Sequence, residues 1–299
     1  MNDIYQTVTD KIINELEAGT APWVRPWSGD ADPFPRNALS QRPYRGINHI
    51  LLGMEAYGQG YATNQWLTFR QALQLGAHVR KGERSSTIIY YEIRSVDKQE
   101  GESLSDGDDP EKRFIPLLKV FNVFNLDQIA GLPDDFRQRP ADEPGWDASE
   151  TAERILQGSG ADIRHQGFQA FYSPPNDLIY LPDRKFFADQ ANYYATALHE
   201  LTHWTGASSR LGRKLGRRFG ESAYAMEELI AEIGASFLSA HCHLDGHLQH
   251  ASYIASWLEV LQRDKRAVFV AAAQAQKAAD YLLERSGLIT PTEAMPLAA

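Results

Sequence analysis

The chain has 299 residues and a mass of 33.6 kDa, which is enough for two domains. Its hydrophobic fraction of 43% and charged fraction of 23% are those of an ordinary soluble protein, and its formal net charge is -9. Its apolar runs are too short to span a membrane, and the polar residues 1–5 do not begin an export signal. Cys242 is the single cysteine, which excludes an internal disulfide framework, so we expect a protein of the reducing cytoplasm.

The first half of the chain mixes helical and strand patterns. Ile4, Val8, Ile12 and Leu16 recur at helical spacing and predict a helix that ends before Gly19. Further helices are predicted at 46–57 and 68–75, and the two strands of a long hairpin at 86–94 and 114–124. Between those strands, residues 97–111 hold seven acids among Gly and Ser, which predicts a surface loop.

A stretch rich in proline and charge, residues 132–146, predicts a linker between a first domain, 1–131, and a second domain, 147–299. In the second domain, strands are predicted at 168–172 and 178–181, and helices at 149–157, 190–204, 222–241, 247–262 and 265–285. Because helices and strands occur in both halves without regular alternation, the expected fold class is α+β.

The predicted helix 190–204 carries His199-Glu200-Leu201-Thr202-His203. Residues four apart lie on one helix face, so His199 and His203 can bind a single ion. Glu200 lies beside them and could take a proton from water on that ion, as in zinc hydrolases. A strand pair before this helix could hold an extended peptide beside the metal. The motif is short and recurs by chance, so its surroundings must support it.

A third ligand is expected on the predicted helix 222–241, which carries Glu227, Glu228 and Glu232. Glu228 and Glu232 share one side of that helix, so one could bind the metal while the other orients a histidine. The alternative is an acidic helix face in water, which the heavy apolar flanks of both helices argue against.

This spacing resembles the gluzincin arrangement, in which Glu-x-x-x-Asp/Glu on a later helix completes the metal site. The resemblance implies that Glu228 is the ligand and that Glu232 contacts a histidine from behind. Exchanged roles, or Glu227 as the ligand, stay open. The expected cofactor is Zn²⁺ or another divalent metal such as Mn²⁺.

Aromatic rings and cations are interleaved in the first half. Residues 20–96 contain nine Arg and Lys against five acids, although the whole chain is acidic. The rings are Trp23, Trp27, Tyr44, Tyr57, Tyr61, Trp66 and Phe69, and the arginines among them are Arg25, Arg36, Arg42, Arg45 and Arg70. Such a mixture is typical of single-stranded nucleic-acid binding, because bases stack on rings and phosphates bind cations. The helical spacing of Trp66 and Phe69 predicts that these two rings lie in the core instead.

Several longer motifs resemble the ArdC antirestriction family, whose amino-terminal domain is shared with TraC-type conjugative primases. They are residues 22–27, 37–48, 76–83 and 120–128 in the first half, and 177–182, 193–196, 199–206, 210–211 and 224–232 in the second. The resemblance implies a sequence-nonspecific domain for single-stranded DNA joined to a zincin-like metallopeptidase domain. It also implies protection of plasmid DNA that enters a host as a single strand. The expected DNA-binding residues are Trp23, Arg25, Trp27, Arg42, Tyr44, Arg45, Arg80 and Lys81.

The motifs leave other functions open. An active zinc metalloprotease, recruited to single-stranded DNA and cleaving a host protein, would use Glu200 as its base, and a third hypothesis makes the metal purely structural. The histidines near Cys242, which are His241, His243, His247 and His250, match no common zinc pattern, although one could face the cleft. The basic residues between the two metal helices, Arg210, Arg213, Lys214, Arg217 and Arg218, form either a solvated loop or a lip that meets phosphate or an acidic substrate.

Overall fold

The structure, a computed structural model, describes residues 3–19, 21–23, 34–97, 112–133, 136, 148–244 and 253–290. Its helices are α1 (Ile4–Glu17), α2 (Ile47–Gln59), α3 (Phe69–Gln74), α4 (Ala148–Ser159), α5 (Gln190–Thr205), α6 (Gly216–Phe219), α7 (Ala223–His241), α8 (Ile254–Arg263) and α9 (Ala267–Arg285). Its strands are β1 (Arg36–Asn37), β2 (Gln65–Thr68), β3 (His78–Val79), β4 (Ser86–Asp97), β5 (Lys112–Asn125), β6 (Ile129–Ala130), β7 (Asp162–His165), β8 (Phe171–Ser173) and β9 (Leu178–Leu181). The predicted α+β class is confirmed. Within these residues, no helix is both long and apolar enough to cross a bilayer.

The first half is built on a four-stranded sheet of order β1-β2-β5-β4, in which the long pair β4 and β5 is antiparallel. Alternate residues of β2 face opposite sides of this sheet. Trp66 packs with Leu52 of α2 on one side, whereas Leu67 packs with Ala72 of α3 on the other. The side chain of Asn48 also bonds the backbone of β4 in both directions, which fixes α2 on the sheet.

The second half places a small sheet of order β7-β9-β8 beside a group of packed helices. Strand β8 pairs with β9 in the expected antiparallel hairpin, but β7 adds a parallel strand on the far side of β9. Strand β8 therefore lies at an edge of the sheet, next to α5. The predicted strand 168–172 begins later than expected, at Phe171. Strand β7 was absent from the sequence prediction because Ile163 is its one apolar residue, so it shows neither an apolar run nor an alternation.

Helix α1 packs on the second half of the chain although it begins the first. Val8, Ile12 and Leu16 belong to the same buried cluster as Trp257 and Val260 of α8. Two further contacts join the halves at α9: Asp280 pairs with Arg45, and the side chain of Gln276 accepts a hydrogen bond from Gly46 at 2.9 Å. The predicted boundary at residue 131 stays a prediction, and most of the predicted linker 132–146 lies outside the described residues.

Two other predicted segments lie partly outside the described residues. They are the acidic loop 97–111, of which residues 98–111 are not described, and the predicted helix 247–262, whose described part is α8. The other predicted helices agree with the structure to within a few residues.

Helices α5 and α7 approach closely at Gly234, because a side chain there would collide with α5. A Cβ atom built on Gly234 would lie 2.6 Å from Cγ2 and 2.9 Å from Oγ1 of Thr202. Contacts this short do not occur between real atoms, so any larger residue must push the two helices apart.

We expect Gly234→Ala to lower the free energy of unfolding by about 1–3 kcal/mol, because overpacking a tight helix contact displaces backbone. Gly53→Ala is a matched control within α2, where an added Cβ meets nothing within 4 Å. There the change should stabilise the protein by about 0.5–1 kcal/mol through lost freedom of the unfolded chain. Urea denaturation of both variants measures the difference, and equal stability of the two would contradict the close contact.

Candidate metal centre

Helix α5 places the two motif histidines one turn apart on one face. Asp189 caps its first turn by accepting a hydrogen bond from the backbone of Asn192, and α5 ends before Gly206. The Nε2 atoms of His199 and His203 lie 3.1 Å apart, and His199 is buried. Both rings therefore present a nitrogen to the same small volume.

Helix α7 supplies a carboxylate to that volume. Glu228 lies 3.6 Å from His199 Nε2 through one oxygen and 3.6 Å from His203 Nε2 through the other. Ligand atoms bound tetrahedrally to one ion at about 2.0–2.2 Å are about 3.3–3.6 Å from each other. One ligand atom from each of His199, His203 and Glu228 lies within 4.8 Å of the other two, so this donor set could hold a divalent ion such as Zn²⁺ or Mn²⁺ after small adjustments.

Each histidine also has a carboxylate behind its other ring nitrogen. Glu232 Oε1 lies 3.9 Å from Nδ1 of His199, and Glu227 Oε1 lies 3.2 Å from Nδ1 of His203. A carboxylate at hydrogen-bond distance, as Glu227 is from His203, orients the ring and selects the tautomer that leaves Nε2 available to a metal. Glu228 lies among the candidate ligand atoms, and Glu232 lies behind His199 beyond hydrogen-bond distance. The assignment of Glu228 as the ligand stays a prediction.

Arg213 holds Glu227 in place, a contact that sequence reasoning missed. Its guanidinium is almost fully buried, donates to both carboxylate oxygens of Glu227 at 2.6 and 3.1 Å, and also bonds the backbone carbonyls of Thr202 and His203. Arg213 therefore joins the C-terminal end of α5 to α7. A loop arginine fourteen residues before its partner carries no periodic signal, so sequence alone could not assign it.

The electrostatics of the metal-free site centre on His203. Burial disfavours its charged form, but hydrogen bonds to Glu227 and Glu228 outweigh burial and raise the pKa of His203 to about 9. Burial would raise the pKa of Glu228, but hydrogen bonds from His199 and His203 lower it below the usual range. The raised pKa favours the charged form of the His203 imidazole beside the buried carboxylates. Binding of a metal to this ring would require loss of a proton.

Glu200 lies beside the ligands and is only 7% exposed. Its Oε2 accepts a hydrogen bond from the backbone N–H of Tyr172 in β8 at 2.8 Å. That N–H points away from β9, so the open edge of β8 faces the metal helix, as expected for a zincin-type cleft.

Tyr224 is a further residue at the site that the sequence did not single out. It lies one turn before Glu228 on α7, is largely exposed, and shares a 3.0 Å hydrogen bond with the hydroxyl of Tyr253. The bond to Tyr253, burial and the nearby Glu228 raise its pKa, so its hydroxyl is a neutral donor. Of the histidines near Cys242, His241 instead packs on Phe34, while His247 and His250 lie outside the described residues.

The expected DNA-binding residues divide into three groups. Trp23 and Tyr44 are buried, at 4% and 8% exposure, and Arg45 pairs with Asp280, so these side chains hold the fold together. Arg42, Arg80 and Lys81 are exposed, whereas Arg25 and Trp27 lie outside the described residues. Trp66 lies in the core as predicted, but the expectation for Phe69 was wrong, because Phe69 is 53% exposed at the start of α3.

Comparison with family models defines the class of protein. A model described as the N-terminal domain of anti-restriction factor ArdC matches residues 2–124, and one described as a zincin-like metallopeptidase matches residues 150–274. The second match and the donor set confirm the expected kind of cofactor, a divalent metal ion.

Solved structures narrow this class to one family. The metal-free crystal structure of the antirestriction ArdC protein from plasmid R388 is 41% identical, with a TM-score of 0.78, covering 96% of this chain and 98% of that chain. Its Mn(II)-bound structure is 40% identical, with a TM-score of 0.77, covering 95% and 98%. The chain belongs to the ArdC antirestriction family, which confirms the predicted resemblance.

Curated relatives extend the family to longer proteins. Two DNA primases TraC of Escherichia coli are 44% identical over 293 residues and 42% over 296 residues. Each alignment covers 93% of this chain, but the chain spans only 27% and 20% of the primases. Protein y4eC of Sinorhizobium fredii is 40% identical over 288 residues, covering 94% of this chain and 91% of y4eC.

We expect Glu227→Gln to weaken metal binding by roughly 10- to 100-fold, because His203 loses the carboxylate that orients it. Competition with a chromogenic chelator measures this affinity. The control is Glu259→Gln, which removes a carboxylate on the exposed side of α8. Thermal melting without metal separates a folding defect from a binding defect, and metal affinity equal to the control would show that Glu227 does not support the ligand.

Proposed function

We propose that this protein binds single-stranded DNA without sequence preference and thereby protects plasmid DNA from restriction as it enters the cytoplasm of a new host. The observation that carries this proposal is an exposed surface around α3 that combines one aromatic ring with several cations. The relatives support it, because one is an antirestriction protein and two are DNA primases.

The proposed DNA surface, which we call the α3 face, comprises Arg42, Phe69, Arg70, Leu73, Arg80 and Lys81, all of them exposed. Two contacts hold the segments that carry Arg42, Arg80 and Lys81 next to α3. Asn37 donates a hydrogen bond to Gln71 at 3.1 Å, which fixes the segment of Arg42 beside α3. Strand β3, which leads into Arg80 and Lys81, packs on the same helix.

The chemistry of the α3 face suits a flexible strand. Phe69 offers a ring that any base can stack on, and the neighbouring cations can bind phosphates on either side. Recognition of this kind reads no base edges and so has no sequence preference. Tyr44 supports the segment of Asn37 from within, whereas Trp23 packs on Trp257 and Arg45 pairs with Asp280. The roles of Arg25 and Trp27 stay predictions.

The metal in this proposal is Zn²⁺ or Mn²⁺ on His199, His203 and Glu228, as the Mn(II)-bound relative suggests. When bound, such an ion makes a water acidic near neutral pH. Glu200 is the group placed to receive that proton. Glu232 and Glu227 hold the imidazoles, and the neutral Tyr224 hydroxyl can donate to an oxygen that gains charge.

A second function, proteolysis of a host protein at single-stranded DNA, is favoured by the position of Glu200 and by the open edge of β8. An extended peptide could add to that edge as a further strand. The N–H of Tyr172 is already bonded to Glu200, however, so a peptide pairing there must displace the carboxylate. Cleavage therefore needs Glu200 to turn from β8 toward the metal.

We expect Phe69→Ala to weaken binding of labelled single-stranded oligonucleotides by about 1–3 kcal/mol, which is the usual effect of losing one stacked base. Phe186→Ala is the matched control, since Phe186 is also 53% exposed but lies in the second half. Fluorescence anisotropy with two unrelated sequences measures both affinity and sequence preference. Affinity equal to the control would contradict the α3 face, and a strong preference for one sequence would contradict nonspecific binding.

Glu200→Gln separates protection from proteolysis, because it keeps the side-chain shape and removes the base. If the protein acts by covering DNA, we expect the variant to retain both DNA affinity and protection of a transferred plasmid from a restriction enzyme. Plasmid transfer into restricting and non-restricting hosts measures protection. Loss of protection with unchanged DNA affinity would instead establish proteolysis as the function.

A further inference from the structure

The basic residues within 210–218, between α5 and α7, fall into two groups: some are paired with other side chains, and the others are exposed. Arg210 lies over the ring of Trp204 at 3.8 Å and pairs with Asp177. Arg213 pairs with Glu227 in the metal centre. These two arginines hold the second half together. The cations that remain are Lys214 and Arg218; the side chain of Arg217 lies outside the description.

These remaining cations line a pocket between that stretch and α9. The pocket has a volume of about 350 Å³, within the usual range for small-ligand sites. Its lining residues are Leu211, Gly212, Arg213, Lys214, Leu215, Arg218, Phe219, Val270, Gln274 and Lys277. Nothing in the proposed DNA surface or in the metal chemistry uses this pocket.

The lining combines an apolar wall with positive charge and contains no carboxylate. Leu215, Phe219 and Val270 form the apolar part of the lining, and the guanidinium of Arg218 lies 5.2 Å from the centre of the Phe219 ring. Lys214 and Lys277 add exposed cations. Among the described residues, no carboxylate lies within 4.0 Å of either lysine. Arg218 is partly neutralised by Asp264 at 2.7 Å. A ligand with one flat face and one phosphate matches this arrangement.

We propose that this pocket binds one nucleotide of a single strand, with the base against Phe219 and the phosphate on Lys214 and Lys277. Gln274 can bond the sugar or a base edge. The inference rests on the proposed function, because the pocket would give the bound single-stranded DNA a second contact beyond the α3 face.

The path between the two contacts is short along α9. Lys277 lies one turn before Asp280, which pairs with Arg45, and Arg45 is three residues after Arg42 of the α3 face. The segment that carries Arg42 is therefore connected to α9 by the contact between Arg45 and Asp280. An acidic peptide would satisfy the lysines but would not use the ring of Phe219, which favours a nucleotide.

The test compares Lys214→Ala/Lys277→Ala with Lys185→Ala/Arg164→Ala, a control that removes the same charge from exposed sites elsewhere in the second half. Gln274→Glu is a second variant that keeps the shape of the pocket and adds a negative charge. The probes are labelled oligothymidylate over a range of salt, and thymidine monophosphate by ligand-observed NMR.

We expect the pocket variant to bind oligothymidylate roughly tenfold more weakly at low salt, with a salt slope smaller by about 0.7, which is the contribution of the one phosphate contact that is lost. Gln274→Glu should weaken binding in the same direction, while the control keeps the wild-type slope. Loss of the monophosphate signal in both pocket variants locates a nucleotide in the pocket. If the pocket variants lose binding of thymidine monophosphate but bind oligothymidylate as the wild type does, a free nucleotide is the ligand and the proposed contact with single-stranded DNA is overturned.

If all variants bind oligothymidylate with the affinity and salt slope of the wild type, the pocket proposal is overturned, but the proposed function is not. Absence of strand binding by the wild type overturns the proposed function, and the monophosphate measurement then tests the pocket separately. Competition by oligoglutamate at Lys214 and Lys277, without any effect of thymidine monophosphate, would assign the pocket to an acidic protein and overturn the inference.

Discussion

The close packing of α5 on α7 is the contact on which the metal centre depends. Two ligands come from α5 and the third from α7, so the distance between these helices sets the size of the site. Gly234 permits that distance because it leaves room for Thr202, the residue before His203. A histidine pair one turn apart is common, but it becomes a metal site only when a carboxylate faces it at about 3.3–3.6 Å.

Several carboxylates are buried close together at this site, so nearby positive charge must offset their desolvation and mutual repulsion. Glu200, Glu227, Glu228 and Glu232 all converge on α5, and isolated buried carboxylates are costly. The raised pKa of His203, about 9, favours a positive charge among these carboxylates. The guanidinium of Arg213 pairs with Glu227 and offsets its charge as well. A divalent ion bound at the ligand atoms would add further positive charge to this group.

The sequence predicted those parts of the site that lie on one helix. The spacing of His199 and His203 determines their shared face, and the spacing of Glu228 and Glu232 places both on one side of α7. The separate roles of the two carboxylates came from the resemblance to gluzincins and stay a prediction. Contacts between distant segments were beyond prediction. Arg45 resembles a phosphate-binding arginine in its local sequence, but its partner Asp280 lies 235 residues away. Tyr44 and Trp23 likewise resemble stacking residues until their packing partners are known.

Those distant contacts make the two halves of the chain depend on each other. Helix α1 covers apolar residues of α8, and Trp23 packs edge-to-face on Trp257 at 5.5 Å. Trp257 in turn stacks on Tyr253, whose hydroxyl bonds Tyr224 one turn before Glu228. A continuous series of packed rings thus joins the segment around Trp23 to a metal ligand. Because protein interiors are closely packed, the position of the segment around Trp23 is tied to that of Tyr224. The two halves of the chain are therefore joined through a shared core as well as through the backbone.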